Sequence, residues 1–213
     1  MSHGHERRHH DHPHEGVISA PNCPLTRYQV MEVALRELLI EKGVFTPEDV
    51  RREVEAMEGR DAGRGARMVA RAWLDPAYKQ RLLTNANEAA AELGFEAGPF
   101  RILVMENTPA VHNLIVCTLC SCYPRMLLGL PPAWYKRLSY RSRAIREPRA
   151  VLAEFGAVLP DSVEVRVHDS TADMRYMVLP MRPAGTDGWS EEALAELITR
   201  DSLIGVAPAA EPA

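Results

Sequence analysis

Three cysteines, Cys117, Cys120 and Cys122, fall in the run Val116-Cys117-Thr118-Leu119-Cys120-Ser121-Cys122-Tyr123-Pro124. Thiolate is a soft ligand that suits zinc, iron–sulfur clusters, copper(I), or low-spin iron and cobalt. Structural zinc asks for four ligands, usually as two separated pairs. Here only Cys23 or a histidine, with His112 nearest, is left to complete a tetrahedron. A four-cysteine iron–sulfur site also needs Cys23. A redox Cys-x-x-Cys pair opening a helix leaves one thiol spare and puts Pro124 in that helix's path. Another geometry fits better. With Cys120 and Cys122 binding through sulfur, the peptide nitrogens of Ser121 and Cys122 face the same ion. Once deprotonated, they complete a square with the two sulfurs. Cys117 then caps one axial position and the other stays open. Amidate and thiolate donors favour a small, low-spin trivalent ion, whose open position is a Lewis acid that can polarise a substrate or activate water.

The remaining composition narrows the setting. Across 213 residues, 25 Lys+Arg and 29 Asp+Glu leave a net charge of −4, no electrostatic reason to expect nucleic acid or an anionic membrane. This length fits one compact domain with arms, or two small domains, with a core that needs no covalent staples. No apolar run approaches the roughly 20 residues needed to span a bilayer. The N-terminus is polar, without an apolar stretch, and nothing there reads as a secretory signal. A soluble, cytoplasmic protein is expected, where clustered cysteines point to metal or redox chemistry rather than disulfides. His3, His5, His9, His10, His12 and His14 crowd the N-terminus. They read either as a device for gathering cobalt or nickel or as a flexible solvating tail or cloning remnant.

Positioning elements follow from periodicity and punctuation. Residues 1–24 read as a disordered tail. A helix is expected from Thr26 to about Gly43, with Val30, Val33, Ala34 and Leu38 on one stripe. Thr46-Pro47-Glu48-Asp49 opens a second, interrupted by Gly59, Gly63 and Gly65. Ala66–Trp73 forms another, and Asp75-Pro76 caps a segment running to Leu93-Gly94. Residues 25–97 thus form a helical arm, to lie on a partner or stand as a plain helical subdomain. After Gly98-Pro99, Phe100–Val104 and Asn113–Val116 read as strands, and the cysteines follow where the second hands over to a loop. Pro131-Pro132 opens a short helix through Trp134, Tyr135 and Leu138, and Pro148 opens one to Phe155. Val163–Val167 alternates as a half-buried strand, with Tyr176–Leu179 as a candidate partner. Ser190 caps a last helix carrying Leu194, Leu197 and Ile198. The catalytic domain spans 98–207, and 208–213 is a frayed tail.

At the cysteine run the sequence resembles the α subunit of nitrile hydratase and the related γ subunit of thiocyanate hydrolase. The likeness continues through Leu128–Lys136, Tyr140-Arg141-Ser142-Arg143, Arg146-Glu147-Pro148-Arg149, Arg182–Glu192 and Thr199–Val206, covering roughly residues 26–207. It implies an α+β fold, with a helical N-terminal arm and a layered α/β/β/α catalytic domain. It implies cobalt(III), non-corrin and low-spin, one ion per chain, with iron(III) the lesser alternative. The ligands would be the sulfurs of Cys117, Cys120 and Cys122 and the backbone nitrogens of Ser121 and Cys122. In the family Cys120 becomes a sulfinic acid and Cys122 a sulfenic acid, protected by the metal and by partner arginines. Thr118 matches the family's cobalt marker. The implied reaction is that of a hydro-lyase, adding water to a nitrile with the Cys122 sulfenate as nucleophile or base. Implied partners are a β-type subunit, in one chain or split into two, a small nitrile, and an activator protein that inserts cobalt.

Departures from the family bear on substrate. Most nitrile hydratases have Trp where Arg125 stands, an apolar pocket wall beside Tyr123. Arginine there resembles thiocyanate hydrolase and favours an anion or polar acceptor. The competing reading leaves Arg125 facing solvent or a partner carboxylate. The His-rich tail also leans toward thiocyanate hydrolase, whereas the short Gly94–Cys117 stretch and Ala184 lean toward nitrile hydratase. The family's His-His pair ahead of the cysteines is here His112-Asn113, which makes His112 a candidate support for the site. A Gln common near the equivalent of Pro99 is missing. Trp73, Trp134 and Trp189 read as core or interface aromatics, His168 as a satisfied strand histidine and Cys23 as a bystander.

Overall fold

Side-chain caps set most of the helix starts. In the computed structural model, which describes residues 26–212, Thr26 and Gln29 form a reciprocal capping box at the start of α1 (Arg27–Glu41). Thr46 and Asp49 do the same for α2 (Pro47–Glu58). The chain divides into two compact units, residues 1–51 and 52–213. In the first, α1 buries no residue, and Tyr28, Val30, Met31, Leu35 and Leu38 are exposed. The His-rich tail and Cys23 lie outside the described residues.

In the second unit, α3 (Gly63–Leu74) buries Ala66, Met68, Val69, Ala70 and Ala72 on one face. Asp75 then accepts bonds from the nitrogens of Ala77 and Tyr78 and opens α4 (Pro76–Thr84). The single helix expected from Asp75 to Leu93 is two. Asn85 takes extended backbone (φ −148°, ψ 91°), ends α4, and caps α5 (Ala86–Glu92) through its side chain. These three helices share one core with the strands, so residues 63–92 are not part of a free arm.

Four six-residue strands follow: β1 (Arg101–Glu106), β2 (Val111–Val116), β3 (Glu164–Asp169) and β4 (Met174–Leu179). The expected partnership of β3 with β4 does not form. Each pairs in parallel with an earlier strand: β1 with β4 (Leu103 opposite Tyr176) and β2 with β3 (Val116 opposite Asp169). Parallel pairing needs a long crossover, and α6 (Arg125–Leu128), α7 (Ala133–Lys136), α8 (Leu138–Arg146) and α9 (Pro148–Glu154) supply it between β2 and β3. Alternation in β3 reported its burial but carried no information about its partner. The helix expected from Pro131 to Leu138 is also divided, because extended backbone at Arg137 (ψ 135°) ends α7 before α8 begins.

The layers run α4 and α5, then β1–β4, then β2–β3, then α8 and α9. This is the α+β, α/β/β/α arrangement. Near the C-terminus, α10 (Glu191–Ala195) packs on α3 and α11 (Arg200–Ile204) on β4. Among the described residues, no helix is long and apolar enough to cross a membrane.

Candidate metal centre

The cysteine loop begins where β2 ends. Val116 is paired with Asp169 at the last position of β3, and the Asp169 carboxylate reaches past the strand end. It accepts the Thr118 backbone N–H at 2.8 Å and the Thr118 hydroxyl at 2.5 Å, turning the chain out of the sheet. Cys117 is fully buried at this corner, whereas Cys120 is exposed and Leu119 is 86% exposed. From α8, Arg141 donates to the carbonyls of Cys117 (2.9 Å) and Thr118 (2.6 Å). From α7, the Tyr135 hydroxyl donates to the Cys122 carbonyl at 2.9 Å.

Held this way, the sulfurs converge. Cys120 Sγ stands 3.4 Å from Cys117 Sγ and 3.0 Å from Cys122 Sγ, and the Cys120 backbone N–H points at Cys117 Sγ at 3.2 Å. Two sulfurs about 2.3 Å from one ion stand about 3.3 Å apart at right angles and about 3.8 Å apart at the tetrahedral angle. Both observed spacings are nearer the right-angled value than the tetrahedral one. Among the described residues, no other group of three histidine, cysteine or acidic side chains converges like this.

The thiols are electrostatically unequal. Cys120 is lowered to about 7 because the Cys122 thiol, and after it the Cys117 thiol, hydrogen-bonds to its thiolate. Cys122 is pushed up to about 12, first by burial and then by that same bond, with the Arg175 charge acting in the opposite direction. Three cations face the loop across an open cavity of about 430 Å³: Arg125, Lys136 and Arg175, alongside Cys120, Ser121, Cys122 and Tyr123. Arg175 stacks 4.6 Å above the Phe100 ring. Its buried Nε and Nη1, like the buried Tyr123 hydroxyl, have no hydrogen-bond partner among the described residues. Orphaned donors at a cavity wall are costly unless something polar occupies the cavity.

Against this geometry stand the comparisons with known proteins. The family model described as nitrile hydratase, alpha chain, matches residues 26–207. The chain belongs to the nitrile hydratase alpha-chain family. The cobalt-containing nitrile hydratase subunit alpha of Pseudonocardia thermophila is 51% identical over 179 residues, covering 83% of this chain and 88% of that one. The low-molecular-weight cobalt-containing subunit alpha of Rhodococcus rhodochrous is 50% identical over 181 residues, 84% of this chain and 87% of its own. Thiocyanate hydrolase subunit gamma of Thiobacillus thioparus is 45% identical over 192 residues, 84% of this chain and 79% of its own. Among solved structures, an iron-type nitrile hydratase double mutant from Comamonas testosteroni superposes with a TM-score of 0.81 at 46% identity, covering 88% of this chain and 94% of that one. A recombinant thiocyanate hydrolase with partially modified cobalt centres superposes at 0.80 and 45% identity, covering 86% and 91%.

The structure brings together the sulfurs of Cys117, Cys120 and Cys122 and lines one cavity with Cys120, Ser121, Cys122, Tyr123 and Arg125, whereas the Thr118 side chain is turned to Asp169. Arg125 is exposed and also lines the cavity. His112 is not brought in. It sits near the other end of β2, where Nε2 donates to the Gly205 carbonyl at 2.7 Å and the ring lines a separate cavity beside Ala157 and Pro180. His168 is satisfied by the Asn113 side chain at 2.8 Å. Trp134 packs edge-on against Tyr140 and Phe155, and Trp73 donates to the Pro180 carbonyl. Sequence reasoning missed Asp169 and Arg175 altogether, and saw Tyr135, Lys136 and Arg141 only within longer runs. Strand register and helix placement reveal all five, and neither is local in sequence.

Proposed function

We propose that this alpha chain holds the metal centre of a cobalt nitrile hydratase, a hydro-lyase that adds water to a nitrile C≡N to form the amide. The observation that carries this reading is the convergence of three cysteine sulfurs, those of Cys120 and Cys122 on the wall of an open cavity and that of Cys117 buried behind them. Cys117, Cys120 and Cys122 would hold the ion through sulfur, and Ser121 and Cys122 through backbone nitrogen. Low-spin cobalt(III) is the ion this donor set and Thr118 favour, and cobalt appears in the names of the relatives from Pseudonocardia and Rhodococcus. When bound, the ion supplies a Lewis acid at the cavity wall.

The chain's own contribution is positional and protonic. In this reading Cys120 carries a sulfinic acid and Cys122 a sulfenic acid, with the Cys122 oxygen as nucleophile toward the nitrile carbon or as base for attacking water. If the sulfenate acts as base, water's oxygen ends on that carbon. If it acts as nucleophile, its own oxygen does, the S–O bond breaks and water's oxygen restores the sulfenate. On either route water's two protons end on the nitrogen. Tyr123 and Arg125 wall the substrate's side of the cavity. Exposure of Leu119 and Cys120 leaves the loop open on one side, as a site completed by a β-type partner, in one or two chains, would be. Cobalt insertion by an activator protein and action in the cytoplasm belong to the same proposal. Mass spectrometry of the 117–122 peptide from active enzyme should show two added oxygens on one cysteine and one on another. Unmodified thiols throughout active, cobalt-loaded enzyme would refute the assignment.

A second reading has its own observation. Arg125, Lys136 and Arg175 surround one cavity, a positive field suited to an anion such as thiocyanate. Parallel assays of the assembled enzyme with acetonitrile and thiocyanate separate the two, and faster ammonia release from thiocyanate would favour the second. Arg125→Trp is expected to shift the ratio at least tenfold toward apolar nitriles (about 1.4 kcal/mol per tenfold). An unchanged ratio removes Arg125 from the pocket's chemistry.

A further inference from the structure

We propose that Arg141 and Tyr135 are positioning residues that set the shape of the cysteine loop, one at each end, so that its sulfurs converge as a consequence of the fold. The proposal rests on reading those sulfurs as metal ligands.

The loop has a fixed entrance and a fixed exit. At the entrance, one planar guanidinium spans two successive carbonyls, those of Cys117 and Thr118. Such a fork fixes peptide orientation as well as position, which a single donor cannot do. At the exit, the Tyr135 hydroxyl holds the Cys122 carbonyl. Tyr135 is completely buried, and its ring meets Tyr123, Trp134 and Tyr140 at centroid distances of 5.2, 6.1 and 5.7 Å. Its hydroxyl therefore has little freedom to follow a moving loop.

Both anchors belong to adjacent helices, and a further donor on α8 meets the strand upstream of the loop. Tyr140, next to Arg141 on α8, donates to the Ile115 carbonyl of β2 at 2.6 Å. Donors from α7 and α8 thus meet carbonyls at Ile115, Cys117, Thr118 and Cys122. The loop between the last two anchors contains Cys120, whose sulfur lies within 3.4 Å of both others. Removing Arg141 frees the Cys117 and Thr118 peptides at the loop's entrance. Removing the Tyr140 bond leaves the loop's own anchors in place, which provides a control from the same helix.

The test is a cobalt(II) titration of the full, reduced, metal-free chain, read by the thiolate-to-cobalt absorption band and by affinity. Circular dichroism checks the fold of each variant. The wild-type chain should bind one cobalt per chain with a thiolate band. Arg141→Met should bind about 10–100-fold more weakly, the range typical of lost supports around metal ligands. Arg141→Lys, keeping the charge but one donor for two carbonyls, should fall between the two, and Tyr135→Phe should weaken binding severalfold. Tyr140→Phe should stay within about twofold of wild type, the loss expected when a bond outside the loop is removed. Wild-type affinity and band in Arg141→Lys would overturn the proposal, even if Arg141→Met does not fold. Equal weakening in Tyr140→Phe would overturn it as well, by making the effect one of general stability. Failure of the wild-type chain to show any cobalt–thiolate band would overturn the metal reading beneath it.

Discussion

Asp169 is the residue on which the loop turns. Its carboxylate takes both the backbone N–H and the hydroxyl of Thr118, so Thr118 and Asp169 act as one unit at the strand end. Asp169→Ala should lower cobalt content of the purified enzyme severalfold or more, and Asp169→Asn, which keeps acceptor capacity at one oxygen, should lower it less. Full cobalt occupancy in the alanine variant, measured by elemental analysis, would show that the turn forms without the carboxylate. The sulfurs themselves were legible in the sequence, because ligands three and two positions apart must share a loop. Asp169 was not, since its place opposite Val116 follows from a strand register 53 residues away in sequence. His112 misled for the complementary reason. Five residues before Cys117, along an extended strand, it lies about 17 Å back by the usual rise of about 3.3 Å per residue.

Among elements, helix starts were legible because capping is local. Thr26, Thr46, Asp75 and Ser190 each cap the helix expected of them. Asn85 was overlooked because the pattern on both sides of it is helical, and only its extended backbone separates α4 from α5. Strand partners were not legible, since both pairs are parallel and join distant segments. One close approach locks the C-terminal helix to the sheet. Gly205, at φ +89°, ends α11 in left-handed backbone, and a Cβ there would lie 2.0 Å from the Asn113 carbonyl oxygen of β2. Its own carbonyl accepts the His112 bond. Gly205→Ala should therefore destabilise the protein by about 3 kcal/mol or more, since left-handed strain and a backbone clash add. Chemical denaturation measures it, and a loss under about 1 kcal/mol, the ordinary cost of a point substitution, would contradict that packing.

At the scale of the whole molecule, two histidines, His112 buried and His168 half-buried, tie stability to pH. Burial holds His112 below the usual imidazole range, partly offset by its bond to Gly205, and holds His168 low as well, helped by the Arg166 charge. Both are therefore neutral in the fold more readily than in the unfolded chain, where the value is about 6.5. As pH falls through about 6.5, the unfolded chain takes up protons that the folded one refuses, so stability drops toward the lowered folded values. The unfolding midpoint should be lower at pH 5 than at pH 7.5, and His112→Gln should flatten that dependence. An unchanged slope would remove His112 from the linkage. The sheet that carries both histidines also leads into the cysteine loop, where sulfurs, cavity and three facing cations converge. On the proposed function, this convergence holds a six-coordinate cobalt centre. X-ray absorption at the cobalt edge of the purified, assembled enzyme tests it most directly. The expected result is one cobalt per alpha chain, six-coordinate, with sulfur neighbours from three cysteines and nitrogen or oxygen neighbours completing the shell. A four-coordinate metal, or cobalt without sulfur neighbours, would contradict it.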